Sequence, residues 1–427
     1  MSNCESWNWE IGSNLVADLN SIPDISDGYL SVRECLISHD GERVALPVRN
    51  GEGGFFVWTN KGQWEGAFEK AWSLKFTQDN RLTALVRLDD MWTVGVEGAL
   101  WEERFAFVWN TKFSGDGSAI GVQVKKEMEY SIAVNGKSWG KGYISCRDFA
   151  ISADGKKIAA AVQVEGLAEG DIFKFMDGTW SVSVDEKVWD EKFINVYSPI
   201  FSSDGKHVAA QVRLDICEYS IAQDGKPWQE GKDGAKYSSV WESIYRPSGS
   251  FLLAPVRLGG AWTVFENGER LWNGDYVQVW NLRLSPDGKR VAAVVAPAFG
   301  RWTVCVDDKP WKISFSDAVL APVFSSDGQR VAAAVRDEGS WSVAVDGKRW
   351  SMLFDMVWNP VFNPNGNMVA AKVQQDGKFA IAVDGRIWEQ GFCFDSLSDP
   401  VFSSDGKKLL VCGIEEGKCF RRVVPLE

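Results

Sequence analysis

The stretch 323–350, VFSSDGQRVAAAVRDEGSWSVAVDGKRW, decides the fold of this chain. It opens with a short apolar run followed by Asp327-Gly328, a pair that favours a tight hairpin because Gly adopts φ > 0 at no steric cost. A run rich in Ala and Val, an alternating run from Trp341, a second Asp-Gly pair and residues 348–350 complete the unit. The pattern predicts four short antiparallel strands, a sheet that needs similar neighbours to bury both faces.

This unit recurs ten times along the 427 residues. The first residue of its hairpin turn falls at positions 40, 79, 116, 154, 204, 248, 287, 327, 365 and 405. Spacings of 50 and 44 residues, against 37–40 elsewhere, indicate insertions at 165–177 and 229–242. Helical periodicity is nearly absent. The sequence therefore predicts an all-β propeller of about ten four-stranded repeats over 31–427, preceded by an N-terminal segment, 1–30.

The number of repeats leaves two arrangements open, because most propellers have about four to eight blades. The units form either one wide ring or two five-bladed rings in tandem, joined at 229–242. The tenth repeat lacks its last strand and its closing Trp, whereas the N-terminal segment carries strand-like residues around Trp7. We predict that residues near Trp7 complete the tenth sheet and remove two exposed edges, which favours the single ring.

The 22 Trp residues fall mainly in two series, one at the head of the third strand and one at the end of the unit. Their regular placement predicts that they wedge between neighbouring sheets. The alternative roles are a carbohydrate or cation platform, or a route for electrons, and four Trp outside both series are the better candidates for a surface role. The first series is Trp92, Trp180, Trp262, Trp302 and Trp341; the second is Trp64, Trp101, Trp139, Trp189, Trp228, Trp272, Trp311, Trp350 and Trp388; the four candidates for a surface role are Trp109, Trp241, Trp280 and Trp358.

No catalytic, cofactor-binding or metal-ligating residue is predicted. Each Asp-Gly turn offers one carboxylate, whereas calcium needs several, and the two histidines, His39 and His207, lie in different repeats. Nucleophile, phosphate-binding and Cys-x-x-Cys motifs are missing, and no motif selects the carboxylate pair of a glycosidase. The sequence thus predicts a protein that is not an enzyme and carries no cofactor.

Charge and hydropathy restrict the partners and the compartment. A net charge of −12 disfavours nucleic acid and anionic membrane surfaces. No apolar run reaches the roughly 20 residues of a membrane span, and the N-terminus does not resemble a signal peptide. We therefore interpret the eight scattered cysteines as reduced thiols in the cytoplasm: Cys4, Cys35, Cys146, Cys217, Cys305, Cys393, Cys412 and Cys419.

The period near forty residues and the S-x-D-G turn resemble the WD40-like, PD40-type repeat of TolB-like propellers. With its S-x-D-G-K-x-V-A-A and W-S-V-x-V-D-G-K-x-W repeats and its Trp content, the chain also resembles the tryptophan-rich subunit of the Tmc transmembrane electron-transfer complex of sulfate-reducing bacteria. That resemblance implies a cofactor-free, cytoplasmic scaffold on the inner face of the membrane, with an iron–sulfur protein, a membrane cytochrome b and a multihaem cytochrome c as partners. The alternative is a stand-alone ligand-binding or glycan-hydrolysing propeller that uses its central mouth.

Overall fold

The computed structural model describes residues 4–22, 35–49, 53–228, 236–249, 251–388, 391 and 393–426. It consists of ten antiparallel sheets arranged in a ring, so the predicted ten-bladed β-propeller is confirmed. Within the described residues, helix is limited to α1 (Ile172–Asp177) and to two 3₁₀ turns, Cys4–Ser6 and Leu19–Ser21. The predicted boundary between 1–30 and 31–427 lies outside the described residues.

Each blade has four strand positions, which run from the innermost to the outermost in chain order, except that the outermost strand of blade 10 is β1 (Gly12–Asp18). Blade 1 contains β2 (Leu36–Ile37), β3 (Val44–Arg49), β4 (Phe55–Thr59) and β5 (Gly62–Gln63). Blade 2 contains β6 (Lys70–Phe76), β7 (Leu82–Leu88), β8 (Met91–Val96) and β9 (Ala99–Leu100). Blade 3 contains β10 (Phe107–Phe113), β11 (Ile120–Lys126), β12 (Glu129–Val134) and β13 (Lys137–Ser138). Blades 4 and 5 contain β14 (Ser145–Ile151), β15 (Ile158–Gln163), β16 (Trp180–Val184), β17 (Lys187–Val188); β18 (Asn195–Phe201), β19 (Val208–Asp215), β20 (Glu218–Gln223) and β21 (Lys226–Pro227).

In blades 6, 8, 9 and 10 the innermost strand is split into two pieces that pair with the same second strand. Blades 6 and 7 contain β22 (Ser239–Val240), β23 (Ile244–Tyr245), β24 (Leu252–Leu258), β25 (Ala261–Glu266), β26 (Glu269–Arg270); β27 (Gln278–Leu284), β28 (Val291–Ala298), β29 (Arg301–Val306) and β30 (Lys309–Pro310). Blades 8 to 10 contain β31 (Ala318–Val319), β32 (Val323–Phe324), β33 (Val331–Asp337), β34 (Ser340–Val345), β35 (Lys348–Arg349); β36 (Met356–Val357), β37 (Val361–Phe362), β38 (Val369–Gln375), β39 (Lys378–Val383), β40 (Arg386–Ile387); β41 (Ser396–Leu397), β42 (Val401–Phe402), β43 (Lys408–Glu415), β44 (Lys418–Pro425) and β1 (Gly12–Asp18).

Seven of the ten blades have S-x-D-G at the first turn, and hydrogen bonds within this motif explain why the turn forms there. In blade 8 the Ser325 hydroxyl donates to Asp327 Oδ1 at 2.5 Å and accepts from the backbone N–H of Arg330 at 2.9 Å. Gly328 adopts φ +70°, which a side chain would disfavour. These carboxylates are therefore engaged within their own turns. The same Ser-to-Asp bond, at 2.6–2.7 Å, joins Ser114 to Asp116, Ser152 to Asp154, Ser202 to Asp204, Ser285 to Asp287 and Ser403 to Asp405.

The core consists of the junctions between blades. Small residues of the second strands, such as Ala332 and Ala334, are fully buried and leave room for the neighbouring sheet. One hydrophobic cluster occupies each of the ten junctions. Ala209 meets Leu252 between blades 5 and 6, and Leu46 meets Ile414 between blades 1 and 10. Two five-bladed rings would break both contacts, so the blades form a single ring.

The N-terminal strand closes this ring, as predicted, but it lies further along the chain than Trp7. β1 pairs antiparallel with β44, from Gly12 opposite Val423 to Asp18 opposite Lys418. Trp7 and Trp9 are not in a strand: their rings stack, with centroids 6.3 Å apart, and pack on a cluster that includes Leu410.

A buried arginine explains the position of this segment. Arg421 is 1% exposed, and its guanidinium donates to the carbonyl oxygens of Asn8 and Asp40. These bonds hold residues 7–9 across the turns of blade 1, and the chain enters the sheet only at Gly12.

Both Trp series lie between blades, as predicted, and none of their side chains is exposed. Each first-series Trp exchanges backbone bonds with an aromatic residue that leads into the next blade, as Trp341 does with Phe354 at 2.9 Å. In the second series, Trp350 packs on Gly385 of the next blade, where an added Cβ would lie 3.2 Å from the indole Cγ. The same contact is made by Trp64, Trp101, Trp189, Trp228 and Trp311 with Gly98, Gly136, Gly225, Gly268 and Gly347.

Candidate interaction surface

The ring has two chemically different faces. Because successive strands alternate in direction, the first and third turns of every blade lie at one end of the ring. We call this end the DG face, after the Asp-Gly pairs that form many of its turns. The second turns and the connections from blade to blade lie at the opposite end, which we call the connection face.

On the DG face, basic side chains tie each turn to the next blade. Arg330 Nη1 donates to the carbonyl oxygen of Gly366 at 3.1 Å, while its Nε lies 2.9 Å from Asp346 Oδ2. Such a group is bonded to its own blade and to the next one, so it ties the two blades together at this face. Equivalent bonds run from Arg43 to Asn80 at 2.8 Å, from Lys157 to Gly205 at 2.9 Å and from Arg290 to Gly328 at 3.0 Å.

The connection face instead exposes large apolar side chains. Among the described residues sixteen such side chains are exposed, and all but Ile11, Leu15 and Phe251 lie on this face or near it on the innermost strands. This one-sided distribution makes the connection face the candidate interaction surface. The residues are Trp72, Met91, Phe107, Met128, Ile144, Leu167, Ile172, Phe173, Ile216, Trp241, Val277, Phe299 and Leu353.

The most exposed members of this set come from second turns. Phe299 is 94% exposed, Phe173 87% and Met128 81%, in blades 7, 4 and 3 respectively. Phe173 lies on α1, in the insertion predicted at 165–177. Of the second predicted insertion, 229–242, residues 229–235 lie outside the described residues, and the later residues include β22 (Ser239–Val240), a regular strand of blade 6. In the described part of the chain no helix is long and apolar enough to cross a membrane.

An inner belt of side chains lines the ring toward the connection face. First strands of several neighbouring blades contact one another, as β14 and β18 do, so they form the inner wall of the ring. In blades 2 to 10 the belt position lies seven residues before the first-turn residue; the corresponding position of blade 1 lies outside the described residues. We define the inner belt as Trp72, Trp109, Arg147, Tyr197, Trp241, Trp280, Leu320, Trp358 and Ser398.

Four belt residues are the Trp that the sequence marked for a surface role: Trp109, Trp241, Trp280 and Trp358. Trp241 is 42% exposed, and the other three are half-buried. Sequence reasoning missed Trp72, which is equally exposed at 42%. The constant seven-residue offset from the turn could have revealed it.

A β-bulge directly after the belt position orients these side chains. The pairing of the first and second strands slips after Trp72, Trp109, Tyr197 and Trp280. The residues that follow have φ of +51°, +54°, +40° and +55°. Bulges of this kind bend a strand and redirect its side chains, and they recur at the same place in the ring.

The belt encloses a cleft between blades 6 and 7. Its cavity of about 530 Å³ is lined by Trp241, Trp280 and Trp302, with Glu242 and Arg283 among its polar residues. The indoles are held by their neighbours: Trp241 stacks on Trp262 at 5.8 Å and 16°, and Trp280 meets Trp302 edge-on at 4.7 Å. The cleft is therefore a preformed aromatic site.

Neither the histidines nor the cysteines form a site among the described residues. His39 and His207 lie in blades 1 and 5, and His207 Nδ1 bonds Asp224 Oδ2 at 2.6 Å. All eight cysteines are free, and burial raises the pKa of the Cys146 and Cys419 thiols to about 12. No three His, Cys, Asp or Glu side chains in the described ranges come together as metal ligands.

No protein-family model matches this chain, and no curated protein matches it. Among solved structures, it is similar to a crystal structure described as the eukaryotic initiation factor, with 11% identity and a TM-score of 0.46 over 78% of this chain and 89% of that chain. The Dos1 propeller matches with 12% identity and a TM-score of 0.40 over 74% and 92% of the two chains. A putative TolB from Agrobacterium tumefaciens matches with 15% identity and a TM-score of 0.29 over 49% and 81%. The fold therefore rests on the ten sheets themselves, and the resemblance to the Tmc subunit stays a prediction.

Proposed function

We propose that this protein is a non-catalytic scaffold that holds a partner protein on its connection face. The observation that carries the proposal is the gathering of exposed apolar side chains at that end of the ring. Burial of apolar surface stabilises an interface by about 25 cal/mol per Å² before the costs of association. Phe173 and Phe299 supply aromatic anchors of the kind that dominate interface energies.

The partner that we propose is an iron–sulfur subunit of a membrane-bound electron-transfer complex that also contains a cytochrome b and a multihaem cytochrome c. The repeat motifs and the 22 Trp residues, through their resemblance to the Tmc subunit, support this assignment. It would place the ring in the cytoplasm of a sulfate-respiring cell, peripheral to the membrane. The bonded DG face supports a structural role for that end of the ring, which leaves the connection face for docking.

Purification of the tagged protein from its native host tests both the docking on the connection face and the identity of the partner. The wild type should retain an iron–sulfur protein, with its broad visible absorbance, and haem. The double variant Phe173→Asp/Phe299→Asp should lose them, because it places two charges in the apolar interface. Phe251→Asp is the matched control, since Phe251 is an exposed aromatic residue, at 45%, on the DG face. Retention by the double variant would reject docking on the connection face, and a partner without iron or haem would reject the redox assignment.

Thiol footprinting locates the docked face independently. Cys217 is exposed in the second turn of blade 5, on the connection face. We expect it to react with a maleimide in the isolated protein and to be protected in the purified assembly. A cysteine introduced on the DG face by Lys289→Cys, where 82% of the side chain is exposed, should stay reactive in both. The opposite pattern of protection would show that the DG face binds the partner.

The stand-alone ligand-binding ring is the second candidate, and the indole-lined cleft is the observation that favours it. A hydrolytic role is less well supported, because glycosidases generally need two carboxyl groups. Glu242 is the single carboxylate among the described residues that line the cleft.

A further inference from the structure

We propose that the cleft between blades 6 and 7 binds the guanidinium group of an arginine side chain from the docked partner. The inference rests on the proposed function, because it names the group with which a partner would enter the inner belt. The belt itself supplies the evidence, since two junctions away a guanidinium already lies between an aromatic belt residue and a Trp of the first series.

At the junction between blades 4 and 5, the belt residue of blade 4 is Arg147. Its guanidinium carbon lies 4.5 Å from the ring centroid of Trp180 and 4.4 Å from that of Tyr197, the belt residue of blade 5. The guanidinium also donates to the carbonyl oxygen of Val196 at 3.2 Å. A cation held between two rings in this way is stabilised by the negative potential of both faces.

In blade 9 a lysine side chain also lies against an aromatic residue of the inner belt. Lys372 Nζ lies 4.7 Å from the ring of Trp358 and 3.0 Å from Asp399 Oδ1. Thus one belt site pairs two aromatic rings with a cation, and another pairs one ring and a carboxylate with a cation.

The cleft also combines aromatic rings with a carboxylate, Glu242, but it has no cation of its own over its rings. Trp241 and Trp280 are the belt residues of blades 6 and 7, so they correspond in position to Arg147 and Tyr197. Where blade 4 places a guanidinium, blade 6 places a second indole, and a cavity of about 530 Å³ remains. Among the described residues, no Lys or Arg lies over the rings of Trp241, Trp280 or Trp302.

The charges that line the cleft are compatible with this ligand. Glu242, exposed beside Trp241, is the acidic group that would pair with an incoming guanidinium. Arg283 is the basic group, and its Nη1 already donates to the carbonyl oxygen of Leu282 at 2.9 Å. The net charge of −12 favours a cationic ligand over long range.

Titration of the purified ring with N-acetyl-arginine amide tests the proposal, with indole fluorescence and calorimetry as readouts. The citrulline analogue, which has nearly the same shape but no charge, is the control ligand. We expect binding of the arginine probe that exceeds binding of the citrulline probe. Trp241→Ala should weaken it by roughly three- to thirty-fold, the range of a cation–π contact. Trp72→Ala is the matched control, because Trp72 has the same belt position and the same 42% exposure but does not line the cleft.

Two charge variants identify the ligand class. Glu242→Gln should weaken binding of the arginine probe by roughly two- to five-fold, and Arg283→Gln should tighten it. Equal binding of the two probes, unchanged binding in Trp241→Ala, or weaker binding in Arg283→Gln would overturn the proposal. Neutral sugars that bind when the arginine probe does not would assign the cleft to carbohydrate. Thermal unfolding of each variant confirms that the ring is folded. Since this titration needs no partner protein, it can fail while docking on the connection face succeeds, and the reverse.

Discussion

The two faces of the ring are built from the same repeats but differ in how their polar and apolar groups are used. On the DG face, serines, carboxylates and arginines satisfy one another within turns and between blades, as Ser325, Asp327 and Arg330 do. On the connection face, Phe173 and Phe299 have most of their surface in solvent. Polar groups that hydrogen-bond within the protein stabilise the ring, whereas exposed apolar side chains are accessible to another molecule. The difference indicates that one face stabilises the ring, and it leaves the other as the docking surface that we propose.

Removal of residues 1–18 should give the largest loss of stability, because it strips the closing strand and the segment that Arg421 holds against the DG face. The deletion exposes an edge of blade 10 and undocks Leu19 and Ile22, which are 4% and 5% exposed. We expect a cost on the order of 5 kcal/mol and a melting temperature lower by about 5–10 °C. Differential scanning calorimetry measures it, with Leu15→Ser, at an exposed position of the same strand, as the control. An unchanged melting temperature in the deletion would show that the ring closes without β1.

Substitution of two Trp residues in blade 6 compares a structural role with a proposed recognition role within one repeat. Trp272 is 2% exposed between blades 6 and 7, and Trp241 is 42% exposed in the cleft. Trp272→Ala should destabilise the protein by about 3–5 kcal/mol. Trp241→Ala should cost about 1 kcal/mol, because it loses little more than its contact with Trp262. Urea unfolding of both variants measures the difference, and equal costs would contradict the division between the faces.

Variants of Arg330 and Phe299 compare the DG face with the connection face directly. Arg330→Met removes the bonds from the guanidinium to Gly366 and Asp346 and should cost about 1 kcal/mol, since the group is partly exposed. Phe299→Ser should change stability by less than about 0.5 kcal/mol but weaken partner retention. A Phe299→Ser variant less stable than Arg330→Met would mean that this residue has a structural role.

The smallest expected effect is the acid sensitivity of the DG face. A hydrogen bond from the Ser114 hydroxyl, with further bonds from Ser118, lowers the pKa of Asp116 to about 2. A hydrogen bond from the corresponding serine lowers the pKa of Asp287, Asp327 and Asp405. A pKa below that of the unfolded chain, about 3.9, means that the turns contribute their full stability above that pH. The contribution is lost as the pH falls from about 4 towards about 2.

Removal of these hydroxyls should flatten that dependence. The triple variant Ser285→Ala/Ser325→Ala/Ser403→Ala should show a shallower fall of the urea midpoint over this pH range than the wild type does. Ser326→Ala is the control, because that hydroxyl donates to the carbonyl oxygen of Pro364 and not to a carboxylate. If the urea midpoints of the triple variant and the wild type fell in parallel with pH, the serine hydroxyls would not be the cause of the lowered carboxyl pKa values.

The sequence by itself determined the repeat, its four strands and its turns, because local chemistry suffices for them. Asp346-Gly347 forms the predicted two-residue turn, with Val345 paired to Lys348, whereas Asp327-Gly328 lies in a longer turn between Phe324 and Val331. A ten-fold repeat needs ten equivalent sheets. The role of Trp350 and its equivalents between blades followed from their regular spacing. The closing strand was predicted near Trp7 but lies at Gly12–Asp18, because its register depends on contacts with Arg421, about four hundred residues away.

Only the tertiary structure decided whether the ring is single, which face is exposed, and which indoles meet. Trp241 and Trp280 are separate residues in two repeats, and they line one cleft because neighbouring blades lie side by side. Arg147 gave no signal in the sequence, since its role requires two rings from different strands to lie about 4.5 Å away. Local propensity sets the shape of each blade, whereas a binding site between blades depends on distances that arise only when the ring closes.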